Sequence, residues 1–281
     1  MQENQIHITV DVEEWFHTNW FDVSKCIKDN YGGVYPKSDV VTTTEKLVDM
    51  FNYYDAKVTF FVLGETAEKY PEIMEILTAS DHEIASHGWF HNKKYENIED
   101  FKNDVLKFKN KIYPEAKGFR FPNFGYSTEK FEFIVKNGFN YDSSIVPCLK
   151  IPGWYGNSNS PITPYDLDLN SNMSIKEFPM TVMPFLRLPG AGGWFLRNAG
   201  YQWTKYVVKL ALMRTGYGMI YIHPWEISDS NPKNINDIPF HVFRNTGHKT
   251  FNNLKKLIET FSGNQFLTIS DSLKLSNGNS K

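Results

Sequence analysis

Two carboxylates stand two residues apart near the start of the chain, Asp11 and Glu13, in the run Val10-Asp11-Val12-Glu13-Glu14-Trp15-Phe16. In an extended strand, residues two apart share a face, so Asp11 and Glu13 would project together and Glu14 away. A solvated strand end would explain such acids; Trp15 and Phe16 directly after them argue for an enclosed site instead. Farther on, Ser86-His87-Gly88-Trp89-Phe90-His91 spaces two histidines four apart. That spacing brings both imidazoles to one metal if the segment turns helically. By itself it is a weak signal. Two imidazoles with one carboxylate nevertheless make a recurrent catalytic zinc set, with a position left open for water.

Three further polar residues interrupt apolar surroundings. Arg120, in Gly118-Phe119-Arg120-Phe121-Pro122, is expensive to bury without a carboxylate partner, and Asp11 or Glu13 could supply one. A structural ion pair would explain it equally. Asp142, in Tyr141-Asp142-Ser143-Ser144, reads as a loop cap or as a residue orienting a catalytic group. His223 follows Met219-Ile220-Tyr221-Ile222 and precedes Pro224-Trp225-Glu226, an ionisable ring at the end of a buried run. His7, His17, His82, His241 and His248 have no comparable context, although His17 lies close to the acid pair.

The elements that must hold these groups follow from periodicity. Ile6 to Val12 alternates as a strand, and Lys57 to Gly64 is the nearly continuous apolar run of a strand covered on both faces. Further strands are expected at Glu83–His87, Gly118–Pro122, Tyr141–Val146, Ile175–Val182, in Gly218–Ile227, and over Gln265–Ser270. Helical spacing is read after Thr44, at about Glu65–Ala79, through Phe101, Val105, Phe108 and Ile112, at Thr128–Lys136, at about Ala199–Thr215 and near Phe251–Phe261. Strands alternating with helices predict an α/β barrel, with an open doubly wound sheet as the runner-up. Regularity fails from Pro147 onward, so residues of approximately 147–197 are expected to form a hairpin-containing insertion. The polar residues above fall at strand C-terminal ends, the face on which α/β barrels build their sites.

Composition narrows the classes. The 281 residues are 41% hydrophobic and 22% charged, enough for one large core and unlike a disordered or coiled-coil chain. A net charge of −2 provides no basic field for nucleic acid. Two cysteines, Cys26 and Cys148, show no metal or redox spacing and read as buried thiols. No apolar run reaches the ~20 residues of a membrane span. The N-terminal residues lack the pattern of a secretory signal, so a cytoplasmic protein is expected. Nothing in the sequence indicates an oligomeric state.

The stretches Val10–His17, Phe60–Gly64, His82–His91, Gly118–Ser127, Tyr141–Pro147 and Ile220–Ile227 together resemble the polysaccharide deacetylases with a NodB-homology domain, in particular their exopolysaccharide-cluster subgroup. The resemblance covers most of the chain in order and spacing. It implies a single domain over 1–281, an irregular (β/α) barrel of about seven strands, and a metal-dependent hydrolase removing N-acetyl groups from a sugar or polysaccharide intermediate. It also implies residue roles: Glu13, His87 and His91 as metal ligands, Asp11 as base, Arg120 holding that base, His223 as acid and Asp142 orienting it. The family's first motif has two adjacent aspartates where this chain has Asp11-Val12-Glu13, which leaves roles among Asp11, Glu13 and Glu14 open to exchange. The implied cofactor is a divalent metal, zinc first, with Co2+, Ni2+ or Mn2+ as alternatives. Hydrolysis of a small cyclic amide or ureide on the same fold, or carbohydrate binding without catalysis, are the competing functions.

The sequence is rich in aromatic residues: 22 Phe, 15 Tyr and 7 Trp. Trp15, Trp89 and Trp225 each lie two residues from a candidate site residue, and Pro122 two from Arg120. These four are expected to contact substrate, and Trp154 and Trp194, in the irregular stretch, to wall the same cleft.

Overall fold

The computed structural model describes residues 4–91, 97–152, 154–170, 172–232, 235 and 238–278. Strand β1 (Gln5–Val12) lies at its centre, and the alternation read from its sequence divides its two faces. Ile6, Ile8, Val10 and Val12 join the core beneath the helices. On the other face His7 touches Phe178 and Tyr217, while Thr9 and Asp11 bond Arg120. A short 3₁₀ turn at Trp15–His17 leads to α1 (Val23–Tyr31), α2 (Val40–Tyr53) and the fully buried β2 (Val58–Val62). Then come α3 (Gly64–Lys69), α4 (Glu72–Thr78), β3 (Glu83–Ser86), α5 (Ile98–Lys111), β4 (Gly118–Phe119), α6 (Thr128–Lys136) and β5 (Tyr141–Asp142). An antiparallel hairpin of β6 (Tyr165–Asp168) and β7 (Ser174–Glu177) precedes α7 (Gly193–Asn198) and α8 (Tyr201–Thr215). The chain closes with β8 (Tyr217–Ile222), α9 (His248–Thr260), β9 (Gln265–Phe266) and α10 (Ile269–Gly278).

The sheet runs β6-β7-β5-β4-β3-β2-β1-β8, with β9 also on β1. Only the β6–β7 pairing is antiparallel; from β7 to β8 the path is parallel throughout. This is an α/β half-barrel rather than a closed ring. The gap between β8 and β5 is filled by irregular chain. Met219 N–H donates to Thr181 Oγ1 (2.6 Å), Met180 N–H to the Ile145 carbonyl (3.0 Å), and Gly192 bridges Tyr221. The irregularity expected after Pro147 is therefore part of the barrel wall, and it does contain a hairpin.

Local chemistry explains where the elements differ from expectation. The helix expected over Glu65–Ala79 is two helices, because Pro71 has no N–H to continue α3 and instead opens α4. The strand expected over Gly118–Pro122 pairs only at Gly118–Phe119. Beyond it the chain turns tightly, with Asn123 and Phe124 both left-handed at φ 54°. Helix α1 went unread despite Asp22, whose carboxylate caps it by accepting from Lys25 N–H (2.9 Å). The final strand shrinks to two residues, and the chain beyond it forms α10, which seals the barrel floor. There Ile269 N–H donates to Thr59 Oγ1 (3.0 Å) and Ser270 N–H to Glu83 Oε2 (3.1 Å). Both cysteines are buried free thiols.

Asp142 and Glu177 are register partners on β5 and β7 and both are fully buried. Burial pushes Asp142 up to about 7 and Glu177 well above the carboxylate range. Two like carboxyls in one dry site hold a proton between them. Both therefore prefer the protonated state in the fold more than in the unfolded chain. Their contribution to stability is present below the ordinary carboxylate range and is lost as pH rises from about 4 through about 7. Asp142→Asn, which donates to Glu177 without titrating, should gain thermal stability relative to the wild type as pH rises from 5 to 8. Each kcal/mol recovered would raise Tm by roughly 2–4 °C. A constant difference in Tm across that range would show that no shared proton is held there.

Candidate active site

The acids of β1 emerge at its C-terminal end, into a cleft of about 400 Å³. Ligand atoms of Glu13, His87 and His91 lie within 4.8 Å of one another, and all three residues are buried. His91 Nε2 lies 2.9 Å from Glu13 Oε2, yet that oxygen receives no aligned hydrogen bond among the described residues. A carboxylate oxygen and an imidazole nitrogen this close, with the His87 ring beside them, suit a shared cation. His87 Nδ1 sits 2.8 Å from the Arg120 carbonyl, which can only accept. The proton is thus on Nδ1, and Nε2 is left with its lone pair. Burial lowers His87 to about 4, so the ring is neutral at physiological pH, as a ligand must be. Burial alone would raise Glu13; His91, His223 and His87 outweigh it and hold the carboxyl well below its usual range. One carboxylate and two imidazoles fit a zinc-like divalent cation.

Asp11 is paired differently. Its Oδ1 accepts from Arg120 Nη1 at 2.6 Å. Arg120 is fully buried and fully used: Nε donates to the Ser143 carbonyl (2.8 Å), Nη1 also to Thr9 Oγ1 (2.9 Å) and Nη2 to Ser143 Oγ (2.9 Å). Its guanidinium also lies 4.1 Å from the Phe61 ring centroid. Glu14 turns to the opposite side and lines a separate pocket with His17, Glu65 and Lys69. The geometry thus distinguishes the three acids: Glu13 faces the imidazoles, Asp11 the guanidinium, and Glu14 neither.

His223 closes the constellation, with Nε2 3.5 Å from Glu13 Oε1 and 4.0 Å from Asp11 Oδ2. Its orienting partner is not Asp142. Residues 142 and 143 alternate, and Ser143 takes the concave side with Arg120, so Asp142 points away and its Oδ2 accepts from Ser144 Oγ (2.9 Å). The group at His223 Nδ1 is Glu226 Oε2, 3.0 Å away, which also accepts the His223 backbone N–H at 3.1 Å. Glu226 is held in turn by Arg197 Nε at 2.7 Å. Burial opposes charge on His223, but Glu226, Glu13 and Asp11 outweigh it and raise the ring to about 9, so it is protonated at neutral pH. Glu226 stands three residues after His223, where a 3₁₀ turn (Pro224–Ile227) returns its carboxylate to the start of the turn. That capping pattern was the available signal. Arg197 carried none, because only the fold brings it there.

The aromatic expectations divide. Trp225 lines the cleft and stacks on His223 at 5.5 Å, with planes 24° apart. Trp89 is core: it is 1% exposed, fills the space over Gly64, where a Cβ would come within 2.6 Å of its ring, and is covered by Lys107 Nζ at 3.5 Å. Trp15 is buried in a cluster with Phe16, Val23 and Ile27, behind Trp225 rather than on the cleft. Pro122 packs toward Gly88, and its neighbours Phe121, Asn123 and Phe124 line the cleft in its place. Trp154 and Trp194 do wall the cleft, joined by Trp20, which sequence reasoning passed over. His17 is not among the metal-facing rings. It accepts from Glu14 N–H (3.1 Å) and lies 3.5 Å from Glu65, with burial lowering it to about 3.

Comparison with known proteins assigns a family match to part of this geometry. Residues 29–141 match the polysaccharide deacetylase family, a span that holds His87, His91 and Arg120. Residues 143–274 match a domain of unknown function, DUF3473, and this span carries Arg197, His223 and Glu226. The two matches meet at β5, and both contribute strands to the one sheet. A Bacillus cereus peptidoglycan-N-acetylglucosamine deacetylase is 32% identical over 87 residues, 27% of this chain and 32% of that protein. The chain spans about a third of the length of the curated relatives it matches. Among solved structures, a Mycobacterium smegmatis protein assigned as a polysaccharide deacetylase superposes with a TM-score of 0.66 at 14% identity, covering 99% of this chain and 92% of its own. Puue allantoinase superposes at 0.64 and 12% identity, covering 95% and 88%. At these identities the superpositions speak to the fold. No helix among the described residues is long and apolar enough to cross a membrane.

If Glu13, His87 and His91 hold the ion, His87→Ala should weaken zinc affinity by more than about 100-fold in calorimetric titration, while Asp142→Asn leaves it within about threefold. Equal losses in both variants would refute the assignment.

Proposed function

We propose that the protein is a metal-dependent carbohydrate N-deacetylase that hydrolyses the acetamido group of an N-acetylated sugar chain. One observation carries this reading. A buried carboxylate and two imidazoles converge within 4.8 Å, beside a carboxylate held by a buried guanidinium and opposite a charged imidazole. Amide hydrolysis needs three aids: a nucleophile at neutral pH, stabilisation of the oxyanion, and a proton for a poor leaving amine.

Glu13, His87 and His91 would hold a divalent cation, zinc first, which when bound supplies an acidified water and a Lewis acid for the acetyl oxygen. Asp11 is the base. Arg120 takes its Oδ1, so Oδ2, on the side of His223, is left to accept the proton of water. His223, charged and turned by Glu226, donates from Nε2 to the departing amine. Arg197 keeps Glu226 ionised, which keeps the His223 proton on Nδ1 and directs Nε2 at the cleft. Glu226 thus has the orienting part that the family resemblance had assigned to Asp142. Trp225 fixes the opposite face of the imidazole and excludes water there.

Acetate release over a panel of N-acetylated oligosaccharides tests the reading, run beside ring opening of cyclic ureides and amides. Acetate release abolished by a chelator and restored by Zn2+ or Co2+ is expected. Turnover of the cyclic panel alone would instead place the protein with hydrolases of small ureides, and chelator-insensitive glycan binding without turnover would make it a lectin-like relative. On the true substrate, His223→Ala should lower kcat by about 10²–10⁴-fold with zinc content retained. Glu226→Gln should lower kcat in the same direction by at least about tenfold, and Asp142→Asn by less than about threefold. If Asp142→Asn costs as much as Glu226→Gln, the orienting role given to Glu226 is wrong.

A further inference from the structure

Three tryptophans from separate segments meet in the cleft and have no part in the chemistry just described. Trp20 comes from the loop before α1, Trp154 from the loop after β5 and Trp194 from α7. Trp20 and Trp154 ring centroids are 4.7 Å apart, Trp154 and Trp194 6.2 Å, and Trp20 and Trp194 6.4 Å with planes 16° from parallel. Each is only partly buried and each lines the cleft, so they are not core residues. Trp194 is locked in place, its Nε1 donating to His241 Nδ1 at 3.1 Å. Thr18 and Asn19 line the same end of the cleft with polar groups.

The position of this aromatic group follows from α7. Trp194 and Arg197 are one helical turn apart on it, and Arg197 reaches His223 through Glu226. Trp194 therefore stands on the part of α7 that also carries Arg197, whose Nε holds the Glu226 bonded to His223, and all three tryptophans share one cleft with His223. The leaving amine is the nitrogen that stays on the sugar. A sugar chain that continues along this cleft meets the tryptophans, and rings with one apolar C–H face and an equatorial rim of hydroxyls suit partly exposed indoles that share the cleft with Thr18 and Asn19.

We propose that Trp20, Trp154 and Trp194 form a separate sugar-ring subsite, so that the ligand is an oligosaccharide of at least two units, with the neighbouring unit seated on the indoles. This rests on the deacetylase reading for the class of ligand. The stacking itself needs no turnover, so it is measured as binding.

The test titrates full-length, zinc-loaded protein with N-acetylglucosamine and N-acetylgalactosamine and with their oligomers of two to five units, following tryptophan fluorescence and heat. The wild type should bind the best oligomer at least about tenfold more tightly than its monomer. In Trp154→Ala and Trp20→Ala that ratio should collapse toward one, with zinc content and melting temperature serving as the check on folding, and Trp154→Phe should recover most of it. Trp194 is left unchanged, since it shares α7 with Arg197. Equal affinity for monomer and oligomer, no binding of any oligomer, or an unchanged ratio in both alanine variants would overturn the subsite. Oligomers that bind through the tryptophans without releasing acetate would instead keep the subsite and sink the deacetylase reading.

Discussion

A guanidinium buried to zero exposure must find every one of its partners inside the protein, and Arg120 draws a large share of the concave face to itself. It takes a carboxylate from β1, a hydroxyl from β1, and both a carbonyl and a hydroxyl from Ser143 after β5. Leaving either member of a buried pair uncompensated costs roughly 3–5 kcal/mol. Register errors between these strands are penalised accordingly, because a slip of one residue would turn Asp11 outward and strand the charge. The same backbone that positions Arg120 gives its carbonyl to His87 Nδ1. One residue therefore holds Asp11, the proposed base, with its side chain and sets the tautomer of His87, a proposed metal ligand, with its main chain.

A second buried guanidinium does the corresponding work on the opposite wall. Arg197 donates from Nε to Glu226 and from Nη1 to the Val242 carbonyl at 2.5 Å, which ties α7 to the loop before α9. Its charge keeps Glu226 ionised in a dry setting, and Glu226 keeps His223 protonated. The contrast with His87 is informative. His87 is buried and His223 mostly so, yet one is neutral and the other charged, because only His223 has a carboxylate bonded to its Nδ1. Opposite protonation states on two imidazoles that face the same carboxylate are what a site needs when one ring must donate a lone pair and the other a proton.

Much of this was legible in the sequence, wherever period and position spoke together. Alternation in β1 separated Asp11 and Glu13 from Glu14. The histidine spacing gained meaning from falling at a strand end, and an arginine in an apolar run called for a carboxylate. The misses share a physical cause. The resemblance implies Asp142 as the orienting residue and the sequence reading gives Glu226 no part; only the strand direction at β5 shows that Asp142 faces away and that Glu226 reaches His223. Trp15 and Trp89 lie two residues from site residues, but both stand where the chain has left its strand, Trp15 in the 3₁₀ turn and Trp89 after Gly88 at φ 76°. The shared-face rule of a strand no longer holds there, and Trp89 turns into the core. Trp20 and Arg197 are long-range partners whose sequence surroundings contain no sign of the cleft. The barrel wall from Phe178 to Gly192 makes too few regular pairings for periodicity to reveal, since it is held through Thr181 Oγ1 and single bridges.

Glu13 stands one residue past β1, where its N–H donates to the Asp11 carbonyl at 3.0 Å and closes a tight turn about Val12. Both it and Asp11 line the cleft. The Glu13 Oε2 lies 2.9 Å from His91 Nε2 and its Oε1 3.5 Å from His223 Nε2, so one carboxylate spans the two rings to which the proposal gives metal binding and proton donation. Those two rings come from the two separately matched parts of the chain, His91 from the first and His223 from the second. The proposed site therefore depends on β1: the strand that both parts pair against carries Asp11 and leads directly into Glu13, the two carboxylates that neither part supplies.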